Sequence, residues 1–188
     1  MSAESIINHF QNLSPINEED KVALHKAMQE ESFEKNDIIQ RPGSRCKTLY
    51  FVSTGIARIF YLKDGNDVTE HFAFNGNIII RAESLFTEQI TQKGIQALTH
   101  IEMVRIDAND LFQLSLMHPN IERLFHQIII KEYLNATKRI ESLQLLSAHE
   151  RYNELLIETN LVKHIPLKYI ASYLGITQVS LSRIRANA

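Results

Sequence analysis

The chain has 188 residues, 44% of them hydrophobic, and a formal net charge of −2; this suffices for one large domain or two small ones and excludes a general polyanion binder. Cys46 is the only cysteine, which excludes an internal disulfide and a cysteine-held iron–sulfur or zinc centre. No apolar run reaches transmembrane length and the start lacks the basic and apolar regions of a secretory signal, so a cytoplasmic protein with no membrane partner is expected.

Acids crowd the first forty residues (Glu18, Glu19, Asp20, Glu30, Glu31, Glu34, Asp37). Residues from about 3 to 30 carry apolar positions at helical spacing, with Asn17 as a cap before Glu18-Glu-Asp20. From Phe33 to Ile106 the period changes. Short apolar runs such as Thr48-Leu-Tyr-Phe-Val52, Ile56-Ala-Arg-Ile-Phe-Tyr-Leu62, Val68-Thr-Glu-His-Phe-Ala-Phe74 and Ile101-Glu-Met-Val-Arg-Ile106 alternate with turns. Gly43, Gly55, Gly65 and Gly76 stand 12, 10 and 11 residues apart, a spacing that predicts an all-β sandwich or barrel. Asp64-Gly65 predicts a hairpin turn.

After Asp107 the pattern is helical again. Asp107-Ala-Asn-Asp110 starts a short helix, and His118-Pro119 breaks the chain. A long helix runs from about Asn120 to Leu146, with Ile121, Leu124, Phe125 and Ile128 apolar near its start. Ile129, Tyr133, Ala136, Ile140 and Leu143 then repeat in steps of four and three, which predicts a coiled-coil seam between two copies. A helix of about 27 residues spans roughly 40 Å, more than a small barrel covers. Packing on its own barrel accounts for part of that surface.

Ser147-Ala-His-Glu150 is a capping box opening the last segment. In Ile165–Arg185, Pro166 suits a first helical turn, and Leu167, Ile170, Ala171 and Leu174 repeat at helical spacing. Gly175 turns the chain, Thr177 caps a second helix, and Leu181 and Ile184 face inward. This is a helix-turn-helix pattern. Its second helix exposes Gln178, Ser182, Arg183 and Arg185 for the major groove. No Asp or Glu follows Glu158, whereas Lys163, Lys168, Arg183 and Arg185 do, as a phosphate-facing surface requires. An ordinary helical hairpin is the competing reading.

The order of β-barrel, long helix and helical head resembles the Crp/Fnr family of bacterial transcription regulators, and the resemblance covers essentially the whole chain. It implies an α+β fold: an N-terminal double-stranded β-helix or jelly-roll barrel, a long dimerisation helix and a C-terminal helix-turn-helix. The implied parts are a cyclic-nucleotide-binding-like sensor over residues 1–118, the dimerisation helix over 119–146 and a truncated, wingless DNA-binding head over 147–188. Double-stranded DNA, a second copy of the chain, RNA polymerase and a small-molecule effector are the partners it implies. Carried onto this sequence, the DNA-binding residues are Lys168, Thr177, Gln178, Val179, Ser180, Ser182, Arg183 and Arg185. Arg183 matches a guanine-reading position and Gln178 an adenine-reading one; Val179 stands where an acid is common. With no wing expected, phosphate contacts fall to Lys168, Tyr169 and Tyr173.

The nucleotide-binding members carry a Gly-Glu pair and an Arg-Ser or Arg-Thr pair. After Asn75-Gly76-Asn77 those positions read Ile80-Arg81 and, about ten residues later, Thr91-Gln92. Both charged ligands are missing, so cyclic AMP is not expected; another effector, or none, is. The corresponding pocket is Arg81, Ala82, Glu83, Thr91, Gln92 and Thr137, with Arg81 and Lys93 the cations left to meet an anion. No cofactor or metal is expected. His71 and His100 lie among predicted strands without metal-ligand spacing. A non-catalytic small-molecule-binding barrel whose helical tail contacts another protein is the second reading. A cupin-like enzyme is a third, and only Glu70-His71 suggests it; adjacent strand residues point to opposite faces.

Overall fold

The computed structural model describes residues 3–186. Helices α1 (Ala3–Gln11) and α2 (Glu18–Ala27) lead into strands β1 (Met28–Phe33), β2 (Ile38–Gln40), β3 (Ser44–Arg45), β4 (Thr48–Thr54), β5 (Ala57–Lys63), β6 (Asn66–Ala73) and β7 (Ile78–Ile79). Helix α3 (Ala82–Thr87) precedes β8 (Ile90–Thr91), β9 (Gly94–Ala97) and β10 (Ile101–Asp107). The remainder is helical: α4 (Ala108–Met117), α5 (Pro119–Leu145), α6 (Ala148–Glu158), a 3₁₀ turn (Asn160–His164), α7 (Leu167–Tyr173) and α8 (Gln178–Ala186).

The expected jelly-roll barrel does not form. The strands make three separate antiparallel sheets with orders β1-β10-β4-β7, β2-β9-β5-β6 and β3-β8, and none closes on itself. Strands β2, β3, β7 and β8 have only two or three residues each. Such stubs cannot carry the continuous staggered ladder that closure needs. Evenly spaced turns report the number of strands and say nothing of how the ends meet.

Among the described residues, three large apolar clusters and a small one at Cys46, Leu85 and Ala108 hold the elements together. Ile6, Phe10, Leu24, Phe51, Val104 and Leu124 join α1, α2 and the start of α5 to the first sheet. Tyr50, Val52, Ile59, Ile95 and Met103 fill the space between the two larger sheets. Strand β4 is therefore buried on both faces from Leu49 to Ser53, which explains its unbroken apolar run. The third cluster joins Ile56, Phe72, Phe74 and Leu98 of the sheets to Tyr152, Tyr169, Ile170 and Leu181 of the last helices. Gly55 holds φ at +97°, and a Cβ there would lie 2.5 Å from the carbonyl oxygen of His100, so the turn before β5 admits only glycine.

Pro119 sits in the first turn of α5, not before it. The first half of α5 is buried through Ile121, Leu124 and Ile128, whereas Ile130, Tyr133, Leu134, Ile140 and Leu143 are exposed. No described helix is long and apolar enough to cross a membrane.

Asp20 ties the N-terminal helices to the start of α5. It is buried, accepts from the Asn17 backbone N–H at 2.9 Å and the Asn120 amide at 2.8 Å, and lies 3.1 Å from His118 Nδ1. Burial alone would raise its pKa, yet these bonds hold it below the usual 3.8. The stability that this contributes is full above that value and is lost as pH falls through the lowered one. Asp20→Ala is expected to cost about 2–3 kcal/mol in urea unfolding, since three donors lose an acceptor.

Candidate nucleic-acid interface and sensor pocket

The helix-turn-helix is built as its sequence dictates. Helix α7 ends where the Ile176 N–H donates to the Ala171 carbonyl at 3.0 Å and Gly175 takes φ +69°, the glycine-terminated helix end. The Thr177 hydroxyl accepts from the Ser180 N–H at 3.1 Å and lies 3.0 Å from the Ser180 hydroxyl, capping α8. Leu181 is fully buried and Ile184 half-buried. Thr177, Gln178, Val179, Ser180, Ser182, Arg183 and Arg185 are all exposed, as is Lys168 on α7. Arg183 and Arg185 stand in the last turn of α8.

The opposite side of α7 is occupied. Strand β6 is an edge strand, and α7 lies along it. The Ser172 hydroxyl accepts from the Thr69 N–H at 2.9 Å and donates to the Asp67 carbonyl at 3.4 Å. Tyr173 packs on Phe72 with ring centroids 4.9 Å apart. The Tyr169 ring lies beneath Arg58, 3.6 Å from guanidinium carbon to centroid. Tyr169 is therefore buried and Tyr173 half-buried; the phosphate contacts expected of these two tyrosines give way to contacts with the sheet.

Arg58 is 1% exposed. Nη1 and Nη2 donate to the two oxygens of Asp67 at 2.6 and 2.7 Å, and Nη1 also donates to the Thr69 hydroxyl at 2.9 Å. Nε and Nη2 donate to Gln96 Oε1 at 3.0 and 2.8 Å. All five N–H groups of a guanidinium are thereby used. From α5, Arg139 donates to the Tyr173 carbonyl and lies 3.8 Å over its ring. Arg151 of α6 donates to the carbonyls of Leu146 and Leu174. Arg58 and Ser172 thus anchor α7 on the sheet, and Arg139 and Arg151 tie its end to α5 and α6.

The sensor residues divide. Arg81 and Thr91 are buried; Ala82, Glu83 and Gln92 are exposed around α3 and β8. The Thr137 hydroxyl is turned back onto its own helix, donating to the Tyr133 carbonyl at 3.1 Å. Arg81 Nη1 lies 3.4 Å from Glu70 Oε1, and Lys93 Nζ pairs with Glu70 Oε2. A separate cleft opens between α1, β4 and α5. Glu132 lies at its rim, its carboxyl raised by burial against the opposing pull of Lys131.

Arg58 and Ser172 are absent from the residues picked out by sequence as binding positions, and Glu70 entered only beside His71 as a hint of a cupin-like site. A signal existed for Arg58, an arginine inside the apolar run Ile56–Leu62, where a charge needs a partner. Glu70 escapes because the β5–β6 register shifts between Ile59 and Phe60 and leaves it unpaired. Among the described residues no group of three or more His, Cys, Asp or Glu could hold a metal ion.

Residues 30–118 match the model of the cyclic nucleotide-binding domain family. No curated protein sequence matches the chain. Solved structures do. FixK2 from Bradyrhizobium japonicum is 19% identical, with TM-score 0.73 over 85% of this chain and 83% of its own. A Crp/Fnr-family protein from Eubacterium rectale is 18% identical, with TM-score 0.70 over 92% and 83%. The c-di-GMP responsive regulator CLP from Xanthomonas campestris is 18% identical, with TM-score 0.68 over 91% of both chains.

His71, next to Glu70, carries a testable consequence. Burial pushes its imidazole down from 6.5 to about 4; Glu70 opposes this, and Arg139 and Arg81 add to it. Below pH 6.5 the unfolded chain binds the proton first, so stability falls between about pH 6.5 and pH 4. In pH-dependent urea unfolding, His71→Gln is expected to remove about 3 kcal/mol of that fall. Residues 30–118 thus match the cyclic nucleotide-binding domain model, and with the C-terminal helical region the chain shares the fold of these solved structures.

Proposed function

We propose that this chain is a DNA-binding transcription regulator of Crp/Fnr type, acting in the cytoplasm as a homodimer and contacting RNA polymerase. Residues 1–118 are the sensor, 119–146 the dimerisation helix and 147–188 the DNA-binding head. The observation that carries this reading is the outer face of α8. Gln178, Val179, Ser182 and Arg183 project freely from a capped helix whose other side is buried, beside Lys168, Arg185 and no acid after Glu158. Arg183 reads guanine through O6 and N7, Gln178 reads adenine, and Val179 meets a thymine methyl. Thr177, Ser180 and Ser182 donate to phosphate oxygens beside Lys168.

The exposed half of α5 supports the dimer. Tyr133 is 69% exposed, and with Ile130, Leu134, Ile140 and Leu143 it gives an apolar stripe that two copies bury against each other. Pairing there sets the separation of the two heads and so the spacing of half-sites, about one helical turn of DNA.

The effector is not cyclic AMP. The positions of the Gly-Glu pair read Ile80-Arg81, and the loop position that holds a cyclic phosphate in nucleotide-binding members carries Thr91. The regulators of this fold differ in what they answer to, CLP being c-di-GMP responsive. The sensor pocket is set around Arg81, Ala82, Glu83, Thr91, Gln92 and Thr137.

Fluorescence anisotropy on operators selected from a random duplex pool tests the reading. Affinity should fall steeply with salt, as phosphate binding requires. Arg183→Ala should cost about 1–3 kcal/mol and relax one base position in each half-site. A head that serves only to bind protein would select no duplex. Tyr133→Glu with Ile140→Glu should sediment as a folded monomer and lose operator binding by more than tenfold, roughly the gain two linked half-sites provide.

A further inference from the structure

Two cations share one carboxylate in the sensor. Arg81 is 4% exposed, and its Nε is buried with no hydrogen-bond partner. Its Nη1 makes only a long bond, 3.4 Å, to Glu70 Oε1, while Lys93 Nζ holds Glu70 Oε2. His71 is neutral at pH 7, so Arg81, Lys93 and Glu70 together carry one uncompensated positive charge. The Glu70 and Lys93 side chains are 35% and 33% exposed, which leaves the group open to solvent on one side. Lys93 Nζ also lies over the Tyr61 ring, 5.8 Å from its centroid.

We propose that Arg81 and Lys93 form a binding site for a monovalent carboxylate, a small organic acid, with Glu70 as the resident counter-charge. This rests on the sensor reading above and names the class of its ligand. A guanidinium edge presents two coplanar N–H donors, the match for a planar carboxylate. A phosphate group needs several converging donors, and the Lys93 N–H beside the site is spent on the Thr91 hydroxyl at 3.2 Å. Glu83, in the first turn of α3, adds negative charge that disfavours a dianion. A carboxylate on Arg81 gives the orphaned Nε its acceptor and brings the group to neutrality.

The arginine Nε–H cross-peaks in ¹H–¹⁵N spectra of the full chain provide the readout, the Arg81 peak being the one lost in Arg81→Lys. Sodium acetate, titrated against sodium chloride at constant ionic strength, should shift that peak saturably in the millimolar range. Lys93→Gln should weaken acetate about tenfold, and Glu70→Gln should tighten it about tenfold, each changing one charge next to the ligand. A shift that does not saturate, that chloride reproduces, or that Lys93→Gln leaves unaltered overturns the site. Dimethyl phosphate saturating the peak at lower concentration than acetate overturns the carboxylate assignment. Operator binding measured without acetate separates the two readings. A silent Arg81 peak with intact DNA binding removes only the ligand site, and a saturable peak without DNA binding removes only the regulator.

Discussion

The Arg58 guanidinium is the constraint on which the placement of the head depends. A charge taken fully out of water is costly unless every donor is met and an opposite charge is near. Arg58 meets both conditions through Asp67, Thr69 and Gln96. Its flat face is then left for an aromatic ring, and Tyr169 supplies it. Asp67 and Thr69 on the strand also bond Ser172. One buried ion pair thus organises the strand, the strand organises α7, and α7 aims α8.

The result is a head with two unlike sides. The side toward the sheet is polar at its anchors and apolar between them, fixed by Ser172, Tyr173 and Leu174. The outer face of α8 carries exposed Gln178, Val179, Ser180, Ser182, Arg183 and Arg185. Arg139 links this arrangement to α5, since it reaches the last carbonyl of α7 from the middle of the long helix. The middle of α5 and the end of α7 are thus joined by a direct bond. Arg139 and Arg81 both act on the His71 imidazole, so α5 and the residues around Arg81 share one electrostatic neighbourhood.

What was legible in the sequence was local. Both capping boxes, at Asn17 and Ser147, form as their residues dictate. So does the turn at Gly175, because caps and left-handed turns depend on residues within four positions of each other. The long helix was legible for the same reason, apart from the place of Pro119. Sheet closure was not, because strand pairing joins Met28 to Ile106 and Ile38 to Gln96 and no turn records those distances. The alternation that set Glu70 and His71 on opposite faces assumed an unbroken ladder, and the bulge in β6 removes that assumption. Of the sensor residues read from the resemblance, Arg81 and Thr91 are buried while Gln92 faces solvent, since the loop's path is set by its short pairing with β3.

The hydroxyl of Ser172 has a role that reaches past the docking of α7. Strand β6 is the rim of its sheet, and the Thr69 amide would otherwise look outward with nothing to meet it. A helix seated there acts as a guard rail. Were the head to lift away, the bare rim would invite another chain to lay a strand against it. Keeping α7 on its seat thus also shields the molecule from self-adhesion at that rim.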